Sequence, residues 1–164
     1  MDHADLRPAT SANMVIMTEH VEVKVSDSFA TDRLPELMAL FAGQWWTKGR
    51  TAGDVAAMLD HSDLIATVTD THTGDLLGFA RVLTDFTYVA CLMDVIVADD
   101  SRGNGLGAML MDALINHSRL AAVESLELSC QPDLEAFYAR WGFTSRVGGS
   151  RLMRRTTSSF FLGD

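Results

Sequence analysis

Cysteine is nearly absent from this chain: two thiols, Cys91 and Cys130, occur in 164 residues, and no Cys-x-x-Cys pair exists. That leaves no disulfide framework and no thiolate metal site, and each thiol sits in an apolar run where it reads as a small buried hydrophobe. Proline is scarce too, at three residues, and no repeat or low-complexity tract interrupts the sequence; with this length, one compact domain is expected. Tyr88 and Tyr138 are the whole supply of phenols. Nothing approaches the roughly 18 consecutive apolar residues of a membrane-spanning helix. The acidic opening "MDHADLRPAT" lacks the basic-then-apolar order of a secretion signal, so a cytoplasmic location is expected. Cationic side chains are in deficit, 13 Lys and Arg against 22 Asp and Glu, for a net charge of −9. Such a field repels phosphate backbones and anionic lipid, so neither nucleic acid nor membrane is expected as a partner, and a cationic or neutral substrate is easier to accommodate. His20, His61, His72 and His117 show no metal-ligand spacing, and no metal is expected.

What is present is a hydrophobic content of 48%, enough for a sizeable core. Residues 1–20 show no periodicity and read as a flexible arm, leaving 21–164 as the domain. "VEVKV" alternates as a half-buried strand. Thr31 or Asp32 is placed to cap a helix that carries Pro35 early, packs Leu34, Leu37, Met38 and Phe41, and stops at Gly43. Thr51 with Asp54 three residues on resembles a capping box for a second helix. "LIATVTD", "LLGFARVL" and "YVACLMDVIV" then read as an antiparallel meander. Leu106, Met109, Leu110, Ala113, Leu114 and His117 fall at helical spacing. "SLELSC" is a further strand, "DLEAFYARW" a short helix ended by Gly142, and "GFTSRV" with "RLMRRT" a last pair of strands. The order predicts an α/β (α+β) fold: one mixed, mostly antiparallel sheet with helices on both faces.

The stretch "VIVADDSRGNGLGAML" raises the functional question. Gly103, Gly105 and Gly107 crowd one turn, although each glycine costs backbone entropy on folding. A Walker phosphate loop is excluded because no Lys-Ser or Lys-Thr follows. Gly103, Gly105 and Ala108 satisfy the dinucleotide pattern G-x-G-x-x-A, with Glu127 at a tolerable distance. Residues 98–102, however, separate the turn from its strand, and too few parallel units follow. A third pattern, Arg-x-x-Gly-x-Gly over Arg102, Gly105 and Gly107, points successive N–H groups of residues 102–108 into one concavity suited to a pyrophosphate.

This last pattern resembles the acetyl-coenzyme A motif of the GCN5-related N-acetyltransferase (GNAT) family. "DLEAFYARWGF" resembles the family's later helix and strand, in which Phe-Tyr precedes Gly-Phe. The order of elements matches over residues 21–155, and the motifs look like a bacterial subgroup of these enzymes. The resemblance implies a sheet splayed by a bulge in its middle and transfer of an acetyl group from acetyl-coenzyme A to an amine by direct attack in a ternary complex. The amine belongs to a small molecule or an exposed amino group, and the protein is expected to be a monomer or homodimer. Main-chain groups of Ile96 and Val97 would pair with the pantetheine arm. Arg102, Gly103, Asn104, Gly105, Leu106, Gly107 and Ala108 would hold the pyrophosphate, and Asp133 stands where family members often carry an asparagine. Tyr138 matches the family's tyrosine, the donor toward the leaving thiolate. Asp94 is the candidate proton acceptor, or a positioning group, because it puts a carboxylate into an apolar strand; an ion pair with Arg81 or Arg102 is its structural alternative. Alternation predicts Leu92, Asp94 and Ile96 on one face and Cys91, Met93, Val95 and Val97 on the other. Trp45, Trp46, Arg50 and Phe86 are expected to shape the acceptor pocket. Filling the turn at Gly105 or Gly107 is expected to abolish coenzyme affinity and spare the fold.

Overall fold

The computed structural model describes residues 13–158. Six strands form one sheet in chain order: β1 Met14–Met17, β2 Val21–Ser26, β3 Leu64–Asp70, β4 Leu76–Thr84, β5 Val89–Val97 and β6 Ser125–Leu128. Neighbours are antiparallel up to β5, and β5 and β6 run parallel. A parallel step needs a crossover, which α3 (Leu106–Ile115) supplies. Between β2 and β3 lie α1 (Leu34–Ala42) and α2 (Ala52–Asp60), and a short α4 (Glu135–Tyr138) follows β6.

The helices cover both faces. On one, Leu110, Met111 and Leu114 of α3 pack against Val23, Val25, Ala66, Val68, Ala80, Val82 and Leu92. On the other, Leu37 and Phe41 of α1 and Val55 of α2 pack against Ile65, Phe79 and Ile96. Period-2 alternation explains the division within β3, where Ile65 goes one way and Ala66 and Val68 the other.

Alternation fails in β5, and there the expected faces are wrong. Phe79 pairs with Ile96 but Arg81 pairs with Met93, so two steps of β4 span three of β5. This bulge centres on Asp94, whose φ of 54° lies in the left-handed region. Leu92, Val95 and Val97 therefore all reach the α3 core, whereas Ile96 enters the α1 core. The extra residue inverts the parity of everything after it.

Local capping follows the sequence in one helix and departs from it in another. Thr51 Oγ1 caps α2 by accepting the Asp54 N–H at 3.2 Å, and its hydroxyl donates to Asp54 Oδ2 at 2.7 Å. Neither Thr31 nor Asp32 caps α1; a 3-10 turn over Thr31–Arg33 leads in, and no side chain caps the helix. Arg33 instead grips Glu36 with two hydrogen bonds of 3.0 and 2.8 Å, and Glu36 also accepts the Leu76 N–H at 2.8 Å.

Two further expectations fail at the sheet's margins. Met14–Met17, read as part of an arm, forms β1 and pairs with β2. As an exposed edge strand it carries "MVIM" without the alternation that would have marked it. "GFTSRV" and "RLMRRT" form no strand. Leu152 and Met153 are 76% and 91% exposed, so a strand there would bury nothing to offset its ordering entropy.

Candidate active site

β5 and β6 pair only from Val89 to Leu92 and from Ser125 to Leu128. Beyond that the strands part, and a cleft of about 560 Å³ opens there. Met93, Asp94 and Val95 line one side and Ser129, Cys130 and Tyr138 the other; Trp45, Trp46, Arg50, Arg154 and Arg155 complete the wall. A second depression, about 410 Å³, lies beside α1 and the end of β5 and is lined by Glu36, Asp75, Asp99 and Asp100. Those acids make it unsuited to a phosphate-bearing ligand.

Asp94 is 5% exposed, and both of its oxygens are engaged. Oδ2 accepts Arg81 Nε at 2.6 Å and Oδ1 accepts Arg50 Nη2 at 2.9 Å. Arg81 is itself 8% exposed, so a carboxylate that would be expensive alone is buried as part of a charge-assisted network. Of its two foreseen partners, Arg81 is present, while Arg102 pairs with Asp99 at 2.8 Å. Arg50 also lies over the rings of Phe41, at 4.8 Å, and Trp46, at 5.7 Å. The bulge thus hands Asp94 to the α1 side, where the loop after α1 meets it.

Tyr138 is buried in α4, edge-on to Phe137 and Phe143 at 5.0 and 6.3 Å. Burial pushes its phenol up to about 12, with a smaller contribution from Cys130. Both cysteines line the cleft; Cys91 is half-buried, and Cys130 is exposed instead of buried. Burial is the main cause that raises both thiols.

The glycine turn follows the same strand. Gly103 and Gly105 have φ near +80°, the left-handed conformation that glycine adopts without strain. A Cβ on either would meet nothing within 4 Å. Gly105 is the N-cap of α3 and no side chain caps that helix, so its first N–H groups are open to an anion. The turn therefore fits a pyrophosphate. Arg102, Gly103 and Asn104 are exposed, Gly107 and Ala108 are half-buried in the first helical turn, and Leu106 sends its side chain into the core. Gly107 lies in the first turn of α3 facing α4 and β5, where a Cβ would make ordinary contacts of 3.4 Å with Phe137 Cζ and 3.8 Å with Val97. Asp99 and Asp100 are exposed, and Asp133 is exposed in the 3-10 turn Pro132–Leu134.

The ladder separates Ile96 from Val97. Ala98 N donates to Leu77 O at 2.8 Å, so by antiparallel alternation Ile96 turns its main chain to β4 and Val97 turns away. Arg102 Nε approaches Val97 O at 3.4 Å, consistent with that carbonyl facing the open side. Val95, two residues earlier, was missed by sequence reasoning; the same alternation puts it beside Val97 on the free edge.

Trp45, Trp46 and Arg50 do gather at the cleft, with Trp45 48% exposed and Trp46 packed against Phe41. Phe86 does not join them. It sits in the β4–β5 turn, packed against the α3 core with the Arg119 guanidinium 3.9 Å over its ring. Arg154 and Arg155 were also missed, since their segment reads as a strand and instead runs along the cleft.

Residues 31–143 match the profile of the Acetyltransferase (GNAT) family. The chain belongs to that family. It is 33% identical over 122 residues to an uncharacterized N-acetyltransferase, ycf52, of Porphyra purpurea, covering 73% of this chain and 70% of that one. Over 96 residues it is 30% identical to glucosamine 6-phosphate N-acetyltransferase 1 of Oryza sativa subsp. japonica, covering 55% and 58%. Among solved structures, a putative GNAT acetyltransferase of Xanthomonas campestris pv. campestris superposes with a TM-score of 0.66 at 30% identity, covering 82% of this chain and 92% of that one. The GNAT fold, a six-stranded, mostly antiparallel sheet between helices, is that of these relatives.

Proposed function

We propose that this GNAT protein transfers the acetyl group of acetyl-coenzyme A to a primary amine by direct attack, with both substrates bound at once. The observation that carries this is the uncapped start of α3, behind two left-handed glycines, at the end of the strand that also lines the Tyr138 cleft. Acetyl-coenzyme A would supply a thioester whose carbonyl carbon is open to a neutral amine. A lysine-like amine with pKa near 10.4 is neutral in only about 4 of 10,000 molecules at pH 7, a handicap of roughly 4.6 kcal/mol. In this reading the cleft lowers that handicap by burying the amine beside Arg50 and the apolar faces of Trp46 and Met93. A C–N bond forms as the C–S bond breaks, and the proton lost by nitrogen balances the one gained by sulfur.

Tyr138 fits the donor role in a specific way. With its phenol pushed up to about 12, it is protonated throughout the working range. Full transfer of its proton to a thiolate of pKa near 8.5 would be uphill by about 5 kcal/mol. Tyr138 therefore stabilises the departing sulfur by a hydrogen bond, and the proton of the amine completes the thiol. Asp94, with both oxygens on arginines, holds Arg50 at the cleft and keeps the bulge open. A cytoplasmic setting belongs to the same reading.

A coenzyme-binding role without catalysis has one observation in its favour, namely that Asp94, the one carboxylate among the described residues that line the cleft, is fully engaged by Arg50 and Arg81. Titration calorimetry with acetyl-coenzyme A, with a nicotinamide dinucleotide as control, combined with amine-dependent thiol release, decides between them. Binding and release are expected. Binding without release on any amine favours the module, and dinucleotide binding alone removes both readings.

A further inference from the structure

We infer that Asp112 and Trp141 are positioning residues for the Tyr138 phenol: their hydrogen bond locks α4 onto α3, the helix whose start forms the anion cradle. The inference rests on the acetyltransferase reading above, in which Tyr138 is the donor to the departing sulfur. Neither Asp112 nor Trp141 lines the cleft, so both act through Tyr138.

The helix that carries Tyr138 is four residues long, and a single turn has too few internal hydrogen bonds to hold itself in place. Its direction must come from its neighbours. Near the start of α3 the Phe137 ring lies against Gly107, where a Cβ would stand 3.4 Å from Cζ. Further along the same helix, Asp112 Oδ1 accepts the Trp141 Nε1–H at 2.7 Å. Gly107 and Asp112 are about 7.5 Å apart along the helix axis at 1.5 Å of rise per residue. One such contact would leave α4 able to pivot; two fix its direction on α3.

The lock reaches the phenol through rings. Trp141 meets Phe137 with centroids 5.0 Å apart and planes at 62°, and Phe137 meets Tyr138 at 5.0 Å and 79°. These are the edge-on arrangements that aromatic pairs favour, and in close packing a turn of one ring displaces the next. The Arg140 guanidinium, 4.9 Å over the Trp141 ring, steadies the outer end of the series.

Geometry, more than stability, is what the bond supplies. Asp112 is exposed and Trp141 half-buried, so water could satisfy both groups if they parted, and the net gain from pairing them is small. A donor to a developing thiolate, by contrast, weakens steeply as its distance and angle change. A small swivel of α4 therefore slows sulfur departure while the start of α3, and with it the coenzyme, stays where it is.

A double-variant cycle with Tyr138 separates positioning from general weakening. Asp112→Ala and Trp141→Phe are each expected to lower kcat about tenfold, with the KM of the amine and the Kd of acetyl-coenzyme A within about twofold and the urea midpoint little changed. Asp112→Asn keeps a carbonyl acceptor for the indole N–H and should recover most of the loss. Added to Tyr138→Phe, Asp112→Ala should cost nothing more, because no donor is left to place. A further loss in that double variant overturns the inference, as does an unchanged kcat in Asp112→Ala. A second readout needs no turnover. Tyr88 and Tyr138 are the chain's two phenols, so protein labelled with 3-fluorotyrosine reports each by its own fluorine resonance, assigned with Tyr88→Phe. Asp112→Ala is expected to move the Tyr138 resonance and to leave that of Tyr88, which is 65% exposed, in place. Identical spectra overturn the inference even if no amine is turned over. An unchanged kcat in Tyr138→Phe alone removes the donor reading and this inference with it, a result distinct from failure of the Asp112 variants.

Discussion

At the scale of the residue, burial sets what Tyr138 can do. A phenol raised to about 12 has no ionisation to contribute between pH 6 and pH 10, so it leaves no alkaline limb in the rate profile. Tyr138→Phe is expected to lower kcat about a hundredfold, typical of losing one hydrogen-bond donor to a developing anion, with the Kd of acetyl-coenzyme A unchanged. Steady-state kinetics from pH 6 to pH 10 beside calorimetry checks both halves, and an unchanged kcat would remove Tyr138 from the chemistry. The position of this tyrosine was legible because Phe-Tyr and Gly-Phe are local signals. Asp94 was equally legible, as a lone acid in an apolar strand. Arg50 was legible as a pocket residue but not as the partner of Asp94, because it lies 44 positions away and only the folded loop after α1 brings it within 2.9 Å.

Elements show a similar division. Strand and helix identities from β2 through α4 follow from periodicity and turn residues, but the β5 bulge adds a single residue that leaves no mark in an apolar run. The face of every later residue in that strand was therefore read wrongly from alternation, and the distinction between Ile96 and Val97 was hidden. The final strands failed for the opposite reason: "RLMRRT" has a strand's pattern without a surface to pack on. At the start of α3, the left-handed φ of Gly105 calls for glycine, whereas a Cβ at Gly107 would meet only ordinary contacts. Gly105→Ala is expected to cost about 1 kcal/mol, because an L-residue must be held at positive φ, while its Cβ meets open space. Gly105→Glu should add at least a tenfold loss of acetyl-coenzyme A affinity, since its side chain fills and charges the anion cradle. Urea unfolding and calorimetry on the two variants separate strain from ligand loss, and full affinity in the glutamate variant would exclude a backbone cradle.

On the scale of the whole molecule, the α1 layer is tied to the sheet by a knot of polar groups. Arg33 pairs with Glu36 and also donates to Thr69 Oγ1 and to Gly74 O, both at about 2.9 Å or less. Glu36 is held below its usual value chiefly by the Arg33 hydrogen bonds; burial opposes them, and the Leu76 N–H adds a lesser lowering. A carboxylate with a lowered folded pKa contributes stability that is present above its unfolded value, about 4.5, and is lost as pH falls through the folded value. Glu36→Gln is expected to destabilise by about 1 kcal/mol at pH 7, the partly exposed pair being discounted for solvent. The gap to the native protein should shrink as pH falls below 4.5. Chemical denaturation of both proteins at pH 7, 5 and 3.5 measures it, and a gap independent of pH would assign the knot's strength to packing.

The join between β5 and β6 has a consequence for the protein's lifetime. Four residue pairs hold it, and it is the single parallel pairing among the described residues. The line along which the strands part is thus also the shortest route by which β6 and α4 can peel from the rest. Whatever lies across that line acts as a rivet, binding the folded form and not the opened one. A ligand bound across that line is expected to slow this peeling, which limited proteolysis with and without acetyl-coenzyme A measures; equal cleavage rates would place the opening elsewhere.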